Sequence, residues 1–189
     1  MHRGVRRKPI FEDETDYQVF LQILKTSLEK YNCILHAYCL MTNHIHLLVE
    51  TGDVEIGKFM KYMSECYAMY INHKYSYRGH VFESRYKSCL VKEDTYFLQT
   101  SRYIHLNPVK ARMVTHPEEY LWSSYQTVIG IADDRITEKE KTLVNITVRQ
   151  VLPQLSVLSF LYYRKYSIIN ISKDMREAVK CQVHTVHYV

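Results

Sequence analysis

Cys33-Ile34-Leu35-His36-Ala37-Tyr38-Cys39-Leu40-Met41, then Thr42-Asn43, then His44-Ile45-His46-Leu47-Leu48-Val49 is the stretch that decides the fold. Both flanks are rich in strand formers and the two residues between them make a tight connection, so the segment predicts a β-hairpin. Alternate side chains of the second strand leave opposite faces. Ile45, Leu47 and Val49 point into a core, while His44 and His46 share the other face, separated along the strand by roughly 6–7 Å. Two imidazoles so placed can converge on one ion. Taken alone, in a chain with 10 histidines, the spacing is better explained by packed or solvent-facing histidines.

Upstream, Thr15 and Gln18 have capping-box spacing and Phe20, Leu21, Leu24 and Leu28 follow at helical intervals, predicting a helix over about 14–31. Downstream, Ile56, Phe59, Met60, Met63, Tyr67, Tyr70 and Ile71 recur three or four apart and predict a helix over about 55–74. Gly79 precedes a strand-like segment from Val81 to Val91. Asp94 can cap a helix from Thr95 to about Leu106, which Pro108 should end or kink. A further short helix is expected within Pro117 to Val128. Helix, two strands, helix, strand and helix in this order imply an α+β domain, an antiparallel sheet covered by α-helices. The reading is one domain over residues 1–130 and a C-terminal extension of undefined structure over 131–189, because residues 132–141 are strongly charged and the apolar, Tyr-rich remainder has no clear period.

The totals fit such a domain. A chain of 189 residues, 47% of them hydrophobic, can fill one core, which argues against wholesale disorder. The formal charge of +5 is compatible with a polyanionic partner without requiring one. Cys33, Cys39, Cys66, Cys89 and Cys181 form no CxxC pair and are odd in number, which favours reduced thiols over a disulfide framework. No apolar run approaches the ~20 residues of a membrane span, and the basic start (Arg3, Arg6, Arg7, Lys8) lacks the apolar stretch of a secretory signal. A soluble, cytoplasmic protein with no membrane partner is expected. Cys181, His184 and His187 have a spacing that fits no common zinc site.

A second constellation lies on the expected helix. Tyr103 and Asn107 are four apart and share one face. An amide oxygen from Asn107 can complete a metal site begun by two imidazoles, with Tyr103 one turn away. Nitrogen and neutral oxygen ligands leave positions open for phosphate oxygens and suit Mg²⁺ or Mn²⁺ better than structural zinc. In isolation the pair reads as a core aromatic and a helix-ending residue before Pro108.

In combination the odds change. Met41-Thr42-Asn43-His44-Ile45-His46-Leu47-Leu48-Val49 resembles the His-hydrophobic-His signature of HUH single-strand nucleases. Arg102-Tyr103-Ile104-His105-Leu106-Asn107-Pro108-Val109-Lys110-Ala111 resembles the nucleophile helix of their one-tyrosine branch, the REP-associated (IS200-like) tyrosine transposases. Gly79-His80-Val81-Phe82, Arg85-Tyr86-Lys87-Ser88 and Trp122-Ser123-Ser124-Tyr125 match in family order, so the resemblance spans about residues 3–130. It implies a ferredoxin-like sheet and an enzyme that nicks and joins single-stranded DNA, with hairpin-forming repeats as targets. His44, His46 and Asn107 would hold the divalent metal, and Tyr103 would attack the phosphate to give a 5′-phosphotyrosine. His105 projects from roughly the opposite helix face and is read as structural. Arg78, Arg85, Tyr86, Lys87, Arg102, Lys110 and Arg112 flank the site and are the candidate DNA contacts, by charge and stacking. Family relatives include monomers and dimers that build each site from two chains, so a homodimer is among the states allowed.

Two departures stand out. Thr42 occupies a position where the family usually has proline. Members also begin with a β-strand leading into a Ser-Arg-Gly type segment, and Met1-His2-Arg3-Gly4 starts at the end of that strand. Either the sheet lacks a strand or the start is truncated, and both alternatives leave an edge exposed beside the hairpin. A missing first strand or an altered tail would favour a second reading, a catalytically impaired remnant that binds DNA or RNA hairpins without cutting. A third is a metallohydrolase using water in place of Tyr103.

Overall fold

A computed structural model describes residues 2–91, 94–138 and 185–189. In chain order its elements are β1 (His2–Arg3), α1 (Glu14–Tyr31), β2 (Ile34–Met41), β3 (His44–Thr51), α2 (Ile56–Tyr75), β4 (Cys89–Val91), α3 (Asp94–Lys110), α4 (Tyr125–Val128) and β5 (Thr185–Tyr188), with single 3-10 turns at Val5–Arg7 and Pro117–Glu119. The fold is α+β, as expected: one antiparallel five-stranded sheet with helices on its faces.

The hairpin forms where the sequence places it, with Met41 opposite His44 across Thr42-Asn43. Ile45, Leu47 and Val49 enter one core with Phe20 and Leu24 of α1 and Phe59, Met60, Met63 and Tyr67 of α2. Leu48 enters a second core on the opposite face, with Phe97 and Ile104 of α3. On β2 the alternation changes phase once. A bulge between Leu35 and Ala37 lets Leu35 join the α1/α2 core while Ala37, Cys39 and Met41 face α3, as one inserted residue inverts a two-residue period. Trp122 to Ser124 cover the free edge of β2: Leu40 N donates to Trp122 O at 2.8 Å and Tyr38 N to Ser124 Oγ at 2.9 Å.

Four local expectations are corrected. The α1 cap is Asp13 with Asp16, in place of Thr15 with Gln18. Asp16 N donates to Asp13 Oδ1 at 3.1 Å and Asp13 N to Asp16 Oδ2 at 3.2 Å, and Lys74 at the end of α2 donates to both carboxylates at 2.7 Å. The strand expected from Val81 is only Cys89–Val91, because residues 83–85 and 87–90 are exposed and give no buried face to align. Helix α3 runs through Pro108 to Lys110. Pro108 cannot donate to Ile104 O, and the Asn107 side-chain amide donates there instead at 3.4 Å, alongside Tyr103 O at 2.8 Å. Within Pro117 to Val128 the helix is split into the 3-10 turn and the single turn of α4.

The largest correction concerns the missing strand. β1 is two residues long and pairs only with His44 and Ile45. The rest of that edge of β3 is taken by β5, with Leu48 opposite Tyr188 and Thr51 opposite Thr185, and Val189 exchanges two 2.8 Å backbone hydrogen bonds with Leu47. Val189 faces Leu47 and His2 faces Ile45, so the two segments lie end to end with one residue position, opposite His46, between them. β4 then pairs on the far side of β5. The edge expected to be open is closed by the end of the chain.

Val189 is fully buried in the α1/α2 core. Val189→Asp puts an unpaired charge there and should cost about 3 kcal/mol, roughly 6–12 °C in Tm by thermal denaturation. A shift of the size of a surface substitution, about 0.5 kcal/mol, would mean that β5 does not pair in solution.

Candidate active site

The parity of β3 sets the site. His44 and His46 lie on the face toward α3, with ring centroids 4.9 Å apart and planes at 84°. Burial pushes both imidazoles down, His44 to about 4 with Arg3 adding to the effect, and His46 to about 3 with His44 adding to it. Both are neutral at ordinary pH, the state a metal ligand requires. The Asn43 side-chain carbonyl can only accept, so at 2.6 Å it takes the His44 Nδ1 proton and leaves the lone pair on Nε2. His46 Nδ1 lies 2.5 Å from the Tyr188 hydroxyl oxygen. His46 Nε2 is buried with no hydrogen-bond partner among the described residues, and such a buried polar atom calls for a ligand. A divalent cation fits these donors. Among the described residues no group of three or more His, Cys, Asp or Glu is gathered for a metal; an amide oxygen is a donor type outside that set.

Helix α3 brings the second half. Phe97, Ser101, Ile104 and His105 are buried on its inner face, while Tyr103 is 43% exposed. The Tyr103 ring stands edge-on to His46 at 5.8 Å between centroids and 89° between planes, and Lys110 Nζ lies 4.6 Å from the Tyr103 centroid. Asn107 is one turn on, half-buried. Its amide nitrogen is committed to the Tyr103 and Ile104 carbonyls, so Oδ1 is the atom left for a ligand. His105 points away from the site: its Nε2 pairs with Ser124 Oγ at 2.8 Å and complete burial pushes the ring down to about 3.

The flanking basic residues divide. Arg78, Arg85 and Lys87 are exposed on the segment that passes beside β1, where Glu83 N donates to Arg3 O at 2.9 Å and Val5 N to Val81 O at 3.0 Å. Lys110 and Arg112 are exposed at the end of α3, and Arg102 is half-buried next to Tyr103. Tyr86 is half-buried and packs against the α1/α2 core. Cys181 and His184 lie outside the described residues, and His187 sits in β5 opposite Val49 and Leu90.

Tyr188 is the site residue that the sequence reading missed. Its ring stacks parallel to His46 at 5.7 Å and edge-on to Tyr103 at 6.1 Å. The signal was faint: a short run of strand formers, Val186 to Val189, with nothing local to say which strand it joins.

Comparison with known proteins bears on both fold and family. A family model described as transposase IS200 like matches residues 1–107. A solved structure of a REP-associated tyrosine transposase bound to a REP hairpin superposes with a TM-score of 0.59 at 15% identity, covering 72% of this chain and 87% of that one. No curated protein matches the chain. Among the described residues no helix is long and apolar enough to cross a membrane.

The buried histidines give a pH test. Unfolded imidazole protonates near 6.5, whereas folded His105 does so only at about 3. Between those values the unfolded chain binds more protons, so this contribution is full above 6.5 and is lost as pH falls toward 3. His2, His44 and His46 act in the same direction. Denaturant midpoints should drop from pH 7.5 to pH 5, and His105→Gln should flatten that drop; an unchanged slope would place a charged or exposed imidazole at 105.

Proposed function

This chain belongs to the IS200-like transposase family, and from that premise we propose that it nicks and rejoins single-stranded DNA through a covalent bond to Tyr103. The observation that carries the reading is the meeting of an exposed tyrosine with a pair of neutral imidazoles, one of which holds a buried, unpartnered Nε2. The solved structure of similar fold holds a REP hairpin, which supports a hairpin-forming single strand as the substrate class here.

On this reading His44, His46 and Asn107 are the residues that would hold a divalent cation, Mg²⁺ or Mn²⁺. Such an ion, when bound, neutralises charge on the non-bridging oxygens of a phosphate. The protein's own contribution is to place a nucleophile beside it. Tyr103 Oη forms a bond to phosphorus as the bond to the 3′-oxygen breaks. The phenol proton departs and the 3′-oxygen is released as a hydroxyl, leaving a 5′-phosphotyrosine. The phosphodiester energy is kept in that bond, so a second 3′-hydroxyl can reverse the step and join new ends, whereas hydrolysis would lose it. Lys110, over the Tyr103 ring, supplies positive charge where the phosphate arrives. Arg78, Arg85, Lys87, Arg102 and Arg112 are the candidate backbone contacts, and their binding should weaken with salt. Tyr86 is the weaker candidate, since part of its ring is already packed. The second reading, a remnant that binds hairpins without cutting, starts from a missing strand or an altered tail, and β5 fills the edge that such a loss would open.

With labelled, hairpin-containing single strands and Mn²⁺, the chain should form a covalent protein–DNA adduct that survives denaturation. Tyr103→Phe should abolish it, and His44→Ala should reduce it at least 100-fold. Cleavage that survives Tyr103→Phe but disappears with His44→Ala would indicate hydrolysis by water, and a folded chain that binds hairpins with no adduct under any metal would be a binding module.

A further inference from the structure

The last strand contributes more than backbone pairing. β5 lies in the sheet with Tyr188 opposite Leu48, so its side chain emerges on the α3 face together with His44 and His46. Three contacts fix it there. Its ring is parallel to the His46 ring, with 5° between planes. Its oxygen is 2.5 Å from His46 Nδ1. Its ring also meets the Tyr103 ring edge-on, at 6.1 Å between centroids and 86° between planes. One phenol therefore touches both halves of the site.

The direction of the hydrogen bonds follows from what each atom lacks. His46 Nε2 is buried with no partner among the described residues. If that nitrogen carried the proton, a buried N–H donor would be left unmade, the most costly arrangement for a polar group. With the proton on Nδ1 the donor is satisfied by Tyr188 Oη, and Nε2 presents a lone pair. The Tyr188 hydroxyl has then accepted from His46 and still has its own proton to give. The donor order that follows is His46 Nδ1–H to Tyr188 Oη, with the Tyr188 proton left for an acceptor on the side where its ring meets Tyr103.

We propose that Tyr188 is the positioning residue of this site, holding His46 in the Nδ1–H tautomer with Nε2 free for the cation and holding the Tyr103 hydroxyl in a fixed direction beside it. The inference rests on the reading of His46 as a ligand and Tyr103 as the nucleophile. It assigns to the C-terminal strand a part in the chemistry that is separate from its structural one. A metal-bound imidazole is ordinarily oriented by a partner on its other nitrogen, commonly a carboxylate or carbonyl, and loss of such a partner typically lowers metal affinity 10–100-fold. Here a phenol takes that place, and the same phenol reaches the nucleophile.

Tyr188→Phe keeps the ring, the stacking and the burial and removes only the oxygen. In DNA-free, metal-free protein, ¹⁵N shifts of His46 should report a single Nδ1–H tautomer in the parent and a mixture of both in the variant. Mn²⁺ affinity of the DNA-free protein, titrated by electron paramagnetic resonance, should fall 10–100-fold. Adduct formation should slow by at least as much, with Tm and metal-free hairpin affinity unchanged. An unchanged tautomer together with unchanged Mn²⁺ affinity overturns the proposal, even if the adduct forms more slowly. A parent that binds Mn²⁺ but forms no adduct would sink the nicking reading instead, and the His46 tautomer in Tyr188→Phe would still decide the part of Tyr188.

Discussion

A strand buried on both faces must also have hydrogen-bond partners on both edges, and β3 depends on this constraint throughout. Its outer edge is satisfied by β2 along the whole hairpin. On the other edge β1 reaches only His44 and Ile45, which leaves Leu47 to Thr51 in need of partners. Those groups are among the most buried in the molecule. Unpaired buried amides and carbonyls cost roughly 1–3 kcal/mol each, so several of them would outweigh most of the net stability of a domain. β5 removes that deficit, and β4 in turn covers the edge that β5 would expose. Pairing along β3 thus recruits residues from both ends of the sequence into one strand position.

The site follows from the same strand. Because the period is two, anchoring Ile45, Leu47 and Val49 in the α1/α2 core leaves no freedom in where His44 and His46 point. They face α3, whose own inner face is set by Phe97, Ile104 and His105. Tyr103 lies next to that buried stripe and emerges where the helix turns toward solvent, beside His46. Tyr103 and the imidazoles are brought together by two independent packing solutions, neither of which requires these three side chains to stabilise anything. The histidines instead carry a cost: both are desolvated and held neutral, which makes them ready ligands and liabilities in acid.

How much of this could be read from the chain depends on range. The hairpin, the boundaries of α1 and α2 within a residue or two, and the facing of His44 and His46 are encoded by local period and were legible. So was the pairing of Tyr103 with Asn107 on one helix. The α1 cap was misplaced by two residues because Thr15/Gln18 and Asp13/Asp16 both have the right spacing, and the choice is made by Lys74, which reaches Asp13 and Asp16 from 58 or more residues away. β5 was invisible for a related reason. Four residues of strand former carry no address, and Tyr188 meets His46 across 142 residues of sequence. Only the unfilled edge of β3 says where such a strand belongs, and that vacancy was legible from the short β1.

The passage of α3 through Pro108 joins the fold to the chemistry most directly. Proline normally ends a helix because the carbonyl four residues back loses its donor. Here Asn107 replaces that donor with its own side chain, bonding the carbonyls of Ile104 and Tyr103. This lets the helix continue to Lys110, which lies over the Tyr103 ring. It also polarises the choice between the two ends of the amide: with nitrogen turned back to the helix, oxygen is the end that remains. A lysine at 107 could donate to the same carbonyls but has no acceptor to offer and brings a positive charge, and a leucine has neither donor nor acceptor. Asparagine serves the backbone with its nitrogen and leaves its oxygen uncommitted, so the sequence Asn107-Pro108 is at once a helix repair and, on the proposed reading, the third donor.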